Sequence, residues 1–377
     1  MSLYVFGSSL TSAYWNGAAT YYRGIYKNLH ALGYRITFAE PDIYDRPRHR
    51  DWPAGQDPAY AHCPIYRGRA ELDLHLRRAR EADLIVKHSG VGADDDYLEA
   101  AVIEAAAAAP AERRPRIAFW DVDAPATLAT LDADPRHHLR GLLPAYDFVF
   151  TYGGGPGVAR RYQAFGARCC HAIYNGLDPD THFPAPPVRE WISDLMFLGH
   201  RLPDREQRVR SLFLGAAALG PEYQFLLAGE GWSDLPLPAN VRSCGYVSPG
   251  RHNALNASAR FVLNLNRDSM AQAGFSPPTR IFEAAGAGAA IISDEWRGME
   301  TFFEPGREIL LANCGDAVHA YLKEVSPQAA ARLGSRARQR ALAEHTYAQR
   351  ARQLHQLLQH TASAPRHGSP SSLLASC

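Results

Sequence analysis

The strongest constraint on this chain is an alternation that runs through it twice. Short apolar runs, LYVF at 3–6 and RITFA at 35–39, flank a segment where Ile25, Leu29 and Leu32 fall at helical spacing and Gly33 suits a cap. A strand, helix, strand unit with short links predicts parallel strands with the helix on a face of the sheet. The pattern continues with LIVK (84–87), an Ala-rich helix over 97–109, IAFW (117–120), FVFT (148–151), a short helix over 158–165 and a strand over 171–174. The segment NGLDPDTHFPAPPVREW, dense in Pro and Asp, reads as a linker. The alternation then restarts: LMFL (195–198), a helix over 205–219, QFLL (224–227), a strand over 241–244, a helix over 248–258, FVLNL (261–265), a helix over 279–286 and AIIS (290–293). Helices over 316–325 and 328–359 end the pattern. A chain of 377 residues exceeds one ordinary core and suits two. The expectation is an α/β protein of two doubly wound halves, 1–180 and 181–345, facing an interdomain cleft. A helix over 346–360 is expected to cross back to the first half, and the Ser/Pro/Ala-rich tail over 361–377 to be disordered.

Composition narrows the function classes. Apolar residues make up 46% and charged residues 21%, which fits a soluble globular protein. A net charge of +1 argues against nucleic-acid binding through a broad basic field, while leaving room for a local phosphate pocket. The six cysteines form no CxxC pair, and Cys169 and Cys170 are adjacent, which suits neither a disulfide framework nor a zinc site. Free thiols in a reducing cytoplasm are expected. The start, MSLYVFGSSL, lacks the basic region of a signal peptide, and no stretch reaches the roughly 18 apolar residues of a membrane span.

Ligands of doubly wound sheets bind beyond the carboxyl ends of the strands, so the residues there are the candidates. After the first strand come Ser8 and Ser9 and then Asn16 and Gly17, either a turn or a close backbone approach to a ligand. His88 follows LIVK, as a structural histidine or a general base. DVD at 121–123 follows IAFW. Asp121 and Asp123 could share a cation, cap the helix starting near Pro125, or act as the base. YGGGPG after FVFT is a sharp turn or a phosphate cradle without the P-loop lysine. In the second half, Arg201 and Arg205 follow LMFLG and suit either a phosphate or surface ion pairs. FSPPTRIFEAAGAGAAIIS places Arg280 and Glu283 on the first turns of a helix lined with Ala and Gly. Arg280 reads equally as a phosphate contact or a salt-bridge partner. No GxGxxG opens the first helix, which disfavours a nicotinamide dehydrogenase.

Four segments resemble the CgeB-like glycosyltransferases, a branch of the GT-B superfamily, over residues 3–355. They are LTSAYWNGAATYYRGIYKNLHALGYRITFAEPD with Arg50–Asp51, FWDVDAPATLATL, YDFVFTYGGGPGVARRYQAFGA leading into YNGLDPDTHFP, and SPPTRIFEAAGAGAAIISDEWRGMETFFEPGREILL. The last, RxFEAxxxGxxxI followed by FFxPGxEIL, is the most specific. The resemblance implies a GT-B fold of two Rossmann-like halves, with the nucleotide-sugar donor held by the C-terminal half and the acceptor by the N-terminal half. It implies Glu283 on the ribose hydroxyls, Ser276–Thr279 facing the pyrophosphate, Arg201 and Arg205 neutralising it, Gly245–Val247 with Tyr246 reading the base, and Gly17 near the donor. It also implies no metal or other cofactor, with UDP as the first nucleotide. Related retaining enzymes carry an acid eight residues before the ribose glutamate. Phe275 stands there in this chain, with Asn266 or Asp268 as substitutes. The acceptor is expected to be soluble: a small molecule, a carrier-bound metabolite or a glycan. A nucleotide-sugar epimerase or hydrolase, and a non-catalytic sugar-binding module, are the alternatives on the same fold.

Overall fold

The computed structural model describes residues 1–13, 18–53 and 55–360, so Asn16, Gly17 and the tail lie outside the described residues. The first sheet has seven strands: β1 (Ser2–Phe6), β2 (Arg35–Pro41), β3 (Ile65–Tyr66), β4 (Leu84–His88), β5 (Arg116–Asp121), β6 (Phe148–Thr151) and β7 (Cys170–Ala172). Their order is β3-β2-β1-β4-β5-β6-β7, and every pairing is parallel. The second sheet has β8 (Ser193–Leu198), β9 (Phe225–Ala228), β10 (Val241–Gly245), β11 (Ala259–Asn264), β12 (Ala290–Asp294) and β13 (Leu310–Ala312). Its order, β10-β9-β8-β11-β12-β13, is also all parallel. Chain order reverses direction between β1 and β4 in one sheet and between β8 and β11 in the other. Those two switch points are where sheets of this kind bind ligands.

The apolar runs are continuous because both faces of each sheet are covered. Leu3 and Val5 point into one core, Tyr4 and Phe6 into the other. Leu195 and Phe197 likewise face away from Met196. At twenty-odd calories per Å² of apolar surface removed from water, these four layers supply the main drive to fold.

Some elements went unread in the sequence. The Gly68–Ala79 helix and the strand β3 before it were missed, because a glycine start and five charged residues hide the buried pair Leu72 and Leu76. The stretch 203–219 is helical but widens to a π-helix over Val209–Leu214. The last helical run breaks at His345–Thr346 into Pro327–Glu344 and Tyr347–His360. The Tyr347–His360 helix returns to the first sheet and packs on the Ala18–Ala31 helix. Tyr347, Ala351, Leu354 and Leu358 are buried there among Leu3, Val5, Ile25 and Tyr26. Residue 24 must be glycine, since a Cβ there would lie 2.2 Å from the Tyr347 ring.

The two halves meet where YGGGPG faces FSPP. Gly154 N–H donates to the Phe275 carbonyl at 2.9 Å. A Cβ on Gly153 would sit 2.8 Å from Ser276 Oγ, and one on Gly155 2.8 Å from the Phe275 Cβ. The glycines therefore serve a backbone approach between halves, and the phosphate-cradle reading is withdrawn. Phe275, in the left-handed region at φ 45°, is a wedge at this contact, which gives the position a packing role where an acid was expected.

Candidate active site

β8 ends at Leu198, and Gly199 turns the chain at the switch point. Arg205 and Arg280 converge on that turn from two helices. A Cβ on Gly199 would lie 2.8 Å from Arg205 Nη2 and 3.0 Å from Arg280 Nη2, so glycine leaves room for both guanidinium groups at the turn. The two guanidinium carbons lie 5.4 and 5.3 Å from the centre of the Phe197 ring, which holds them side by side. Arg205 is 7% exposed, and its Nη2 donates to the His200 carbonyl at 2.5 Å. Arg205 Nε and Arg280 Nη1 are buried without a hydrogen-bond partner. Among the described residues neither arginine forms an ion pair. Burial, then the Arg280 charge, pushes the Arg205 guanidinium down to about 9, and burial lowers Arg280 as well. Two adjacent cations without a counterion are costly on their own and favourable around an anion.

Arg280 opens the Thr279–Gly286 helix, whose N-cap is Pro278 with no side-chain cap. Its first amides are thus left for another acceptor. The loop before it is fixed: Asn266 Nδ2 donates to the Ser276 carbonyl at 3.1 Å, Ser276 Oγ to the Gly274 carbonyl at 2.9 Å, and Asn175 Nδ2 to the Pro277 carbonyl at 2.8 Å. Asn266 and Ser276 are therefore buried supports of the loop. Asp268 is bound to Arg208 at 2.5 Å. Glu283 lies one turn further along the helix, half-buried, with His182 Nε2 at 3.9 Å. Tyr246 is 60% exposed after β10, while Val247 is buried beneath it.

Arg201 departs from expectation. Its guanidinium is bidentate to Glu206 at 2.7 and 2.9 Å and also holds Asp234 at 2.8 Å, so an incoming phosphate would have to displace two carboxylates. Sequence spacing hints at Glu206 but not at Asp234, which arrives from another loop.

On the N-terminal side the three base candidates separate. His88 is 1% exposed and enclosed by Tyr22, Phe38 and Trp120, with Nε2 against the Tyr26 hydroxyl at 2.6 Å. Burial pulls its pKa to about 3. It is a core residue and leaves the list of bases. Asp121 is fully buried and accepts from Ser89 Oγ at 2.7 Å, Asp123 N–H at 2.9 Å and the Tyr162 hydroxyl. It braces the turn after β5 and is closed to substrate. Asp123 occupies the N-cap position of the Ala124–Ala133 helix, yet its side chain makes no cap bond. It reaches across to the other half, where Arg267 Nη1 donates to Oδ2 at 3.0 Å. Arg267 in turn holds Asp204 at 3.1 Å. This bridge was not foreseen, since its residues lie 144 apart in the chain.

Residues 205–356 match the family model described as glycosyl transferase-like. That segment contains Arg205, Arg280 and Glu283. Among curated proteins, none matches the sequence. Similar solved structures include HepE from Anabaena in complex with UDP and glucose, at 14% identity and a TM-score of 0.64, covering 96% of this chain and 100% of that one. Sucrose-phosphate synthase from Thermosynechococcus elongatus aligns at 13% identity and a TM-score of 0.67, over 97% and 100% of the two chains. The T4 phage enzyme BGT in complex with its UDP-glucose substrate aligns at 11% and 0.60, over 94% and 99%. The two parallel sheets and these structures give this chain the GT-B fold, and its C-terminal segment matches the glycosyl transferase-like family.

Proposed function

We propose that the protein is a CgeB-like enzyme that moves a sugar from a nucleotide-sugar donor, a UDP-sugar first, to a hydroxyl of a soluble small-molecule, carrier-bound or glycan acceptor. The observation that carries this reading is the pair Arg205 and Arg280 around Gly199, unpaired and facing the uncapped start of a helix. A diphosphate supplies the charge that pair lacks. Glu283, one turn on, is at the right remove for the ribose hydroxyls, and Tyr246 offers an exposed ring toward the base. UDP is favoured because HepE and the phage enzyme are solved with UDP or UDP-glucose.

In the proposed step an acceptor oxygen from the N-terminal side bonds to the anomeric carbon as the bond to the diphosphate oxygen breaks. The electron pair leaves with the diphosphate and is stabilised by the two guanidinium groups and the helix amides. Two fixed cations can do here what a divalent metal does elsewhere, so the proposed reaction is metal-independent. Asp123, whose Oδ2 is held by Arg267 and whose Oδ1 has no hydrogen-bond partner, is the base in this reading and takes the acceptor proton. The five described cysteines form no disulfide, and the setting proposed is cytoplasmic. Calorimetry with UDP, GDP and dTDP tests the donor class. UDP should bind tightest, and Arg280→Ala should weaken it. Equal affinity in that variant would remove the diphosphate assignment.

A further inference from the structure

Three potential metal-binding groups converge beside the uncapped helix: Glu283, His182 and His252, with one ligand atom from each within 4.8 Å of the others. His182 is 8% exposed, and Glu283 and His252 are half-buried. The convergence is built by neighbours. Asn253 brackets His182, donating from Nδ2 to the Thr181 carbonyl at 2.9 Å and accepting from Phe183 N–H at 3.3 Å. Gly286 lets the helix lie against the linker, since a Cβ there would be 2.8 Å from the His182 carbonyl oxygen.

Hydrogen bonds fix the tautomers. His252 Nε2 meets the Val247 carbonyl at 3.1 Å, an acceptor only, so the proton sits on Nε2 and Nδ1 keeps a lone pair. Thr181 Oγ1 donates to the Asp178 carbonyl at 3.2 Å, so its oxygen accepts from His182 Nδ1 at 2.9 Å. His182 Nε2 then presents a lone pair to the Glu283 carboxylate at 3.9 Å. Facing acceptors need a donor or a cation between them. Imidazole nitrogens oriented by a hydroxyl and a carbonyl, together with one carboxylate, form a set that suits zinc and its neighbours.

We propose that His182, His252 and Glu283 form a binding site for a divalent transition metal, and that metal and donor exclude one another because the proposed function gives Glu283 to the ribose. The exclusion rests on that reading, whereas the metal site does not. The metal would be an inhibitor of donor binding, outside the proposed chemistry.

The test uses the full chain with Zn²⁺ and Co²⁺ alone, by equilibrium dialysis and by the visible spectrum of bound Co²⁺. The wild type should bind a metal equivalent that His182→Gln and His252→Gln each lose. UDP at ten times its dissociation constant should weaken that metal by about tenfold. Thermal melts check that both variants remain folded. If one variant does not fold, the metal stoichiometry and Co²⁺ spectrum of the folded one decide. Unchanged metal stoichiometry and Co²⁺ spectrum in both histidine variants would overturn the site. Metal lost in the variants but unaffected by UDP would uphold the site and remove Glu283 from the ribose. UDP binding that depends on Glu283, with no metal bound, would remove the metal site and leave the donor reading intact.

Discussion

The two halves are built alike and finished differently. Each is a parallel sheet covered on both faces, with polar groups gathered at the carboxyl ends of its strands. In the N-terminal half those groups are consumed internally: Asp121 by Ser89, Asp123 and Tyr162, and Glu40 by Thr11 Oγ1 at 2.6 Å and by the amides of Leu10 and Thr11. In the C-terminal half the cations Arg205 and Arg280 are held together with no counterion. Arg46, with two guanidinium nitrogens buried and unpartnered, is the nearest N-terminal counterpart, and it stands alone. A satisfied acid stabilises a loop, while an unsatisfied pair of cations stores affinity for an anion. The same architecture thus supplies a scaffold on one side and an anion site on the other.

That contrast can be broken at its crossing point first. Asp123→Asn should cut turnover by about 10²- to 10⁴-fold if Asp123 takes the acceptor proton. Its surface-type ion pair with Arg267 should cost under about 1 kcal/mol in a denaturant melt. Steady-state rates beside that melt check both, and a variant with undiminished turnover would return the base to an open question. Asp121→Ala should remove about 3 kcal/mol of stability by orphaning three buried donors, with UDP affinity unchanged in calorimetry. Arg280→Ala should do the reverse, weakening UDP by about 10- to 100-fold while the free protein melts no lower, because a like-charge contact with Arg205 has been relieved.

The smallest effect concerns Asp294, a buried acid at the end of β12 whose pKa burial lifts to about 6 despite Arg208 at 2.8 Å. A raised carboxyl means the folded state holds its proton longer than the unfolded one. Its contribution is complete below about pH 4 and is lost as pH rises through about 6. Urea melts from pH 4 to 7 should show this slope in the wild type and a flatter one in Asp294→Asn.

Strands were the most legible elements, because burial on both faces writes them as unbroken apolar runs. The residue types of the anion site were legible too, as Arg205 and Arg280 each follow or precede a recognisable sheet edge. Their partnership was not, because it depends on Gly199 and Phe197 placing two distant helices against one ring. Arg201 shows the opposite case: an arginine in a promising position whose charge is spent on Glu206 and Asp234. His88 and Asp121 look chemical in a one-dimensional reading, and only the enclosing aromatic rings and hydroxyls show that they are structural. His182 and His252 carried no signal, since a lone histidine in a linker and another at a helix start become a pair only through Asn253.

The Tyr347–His360 helix has a consequence for biosynthesis. The first sheet leaves the ribosome before the helix that seals one of its faces. The C-terminal half, by contrast, is contiguous and can close while the nascent chain is still tethered. The half translated first should therefore be the second to mature, and loss of Tyr347–His360 should expose it to proteases ahead of the C-terminal half.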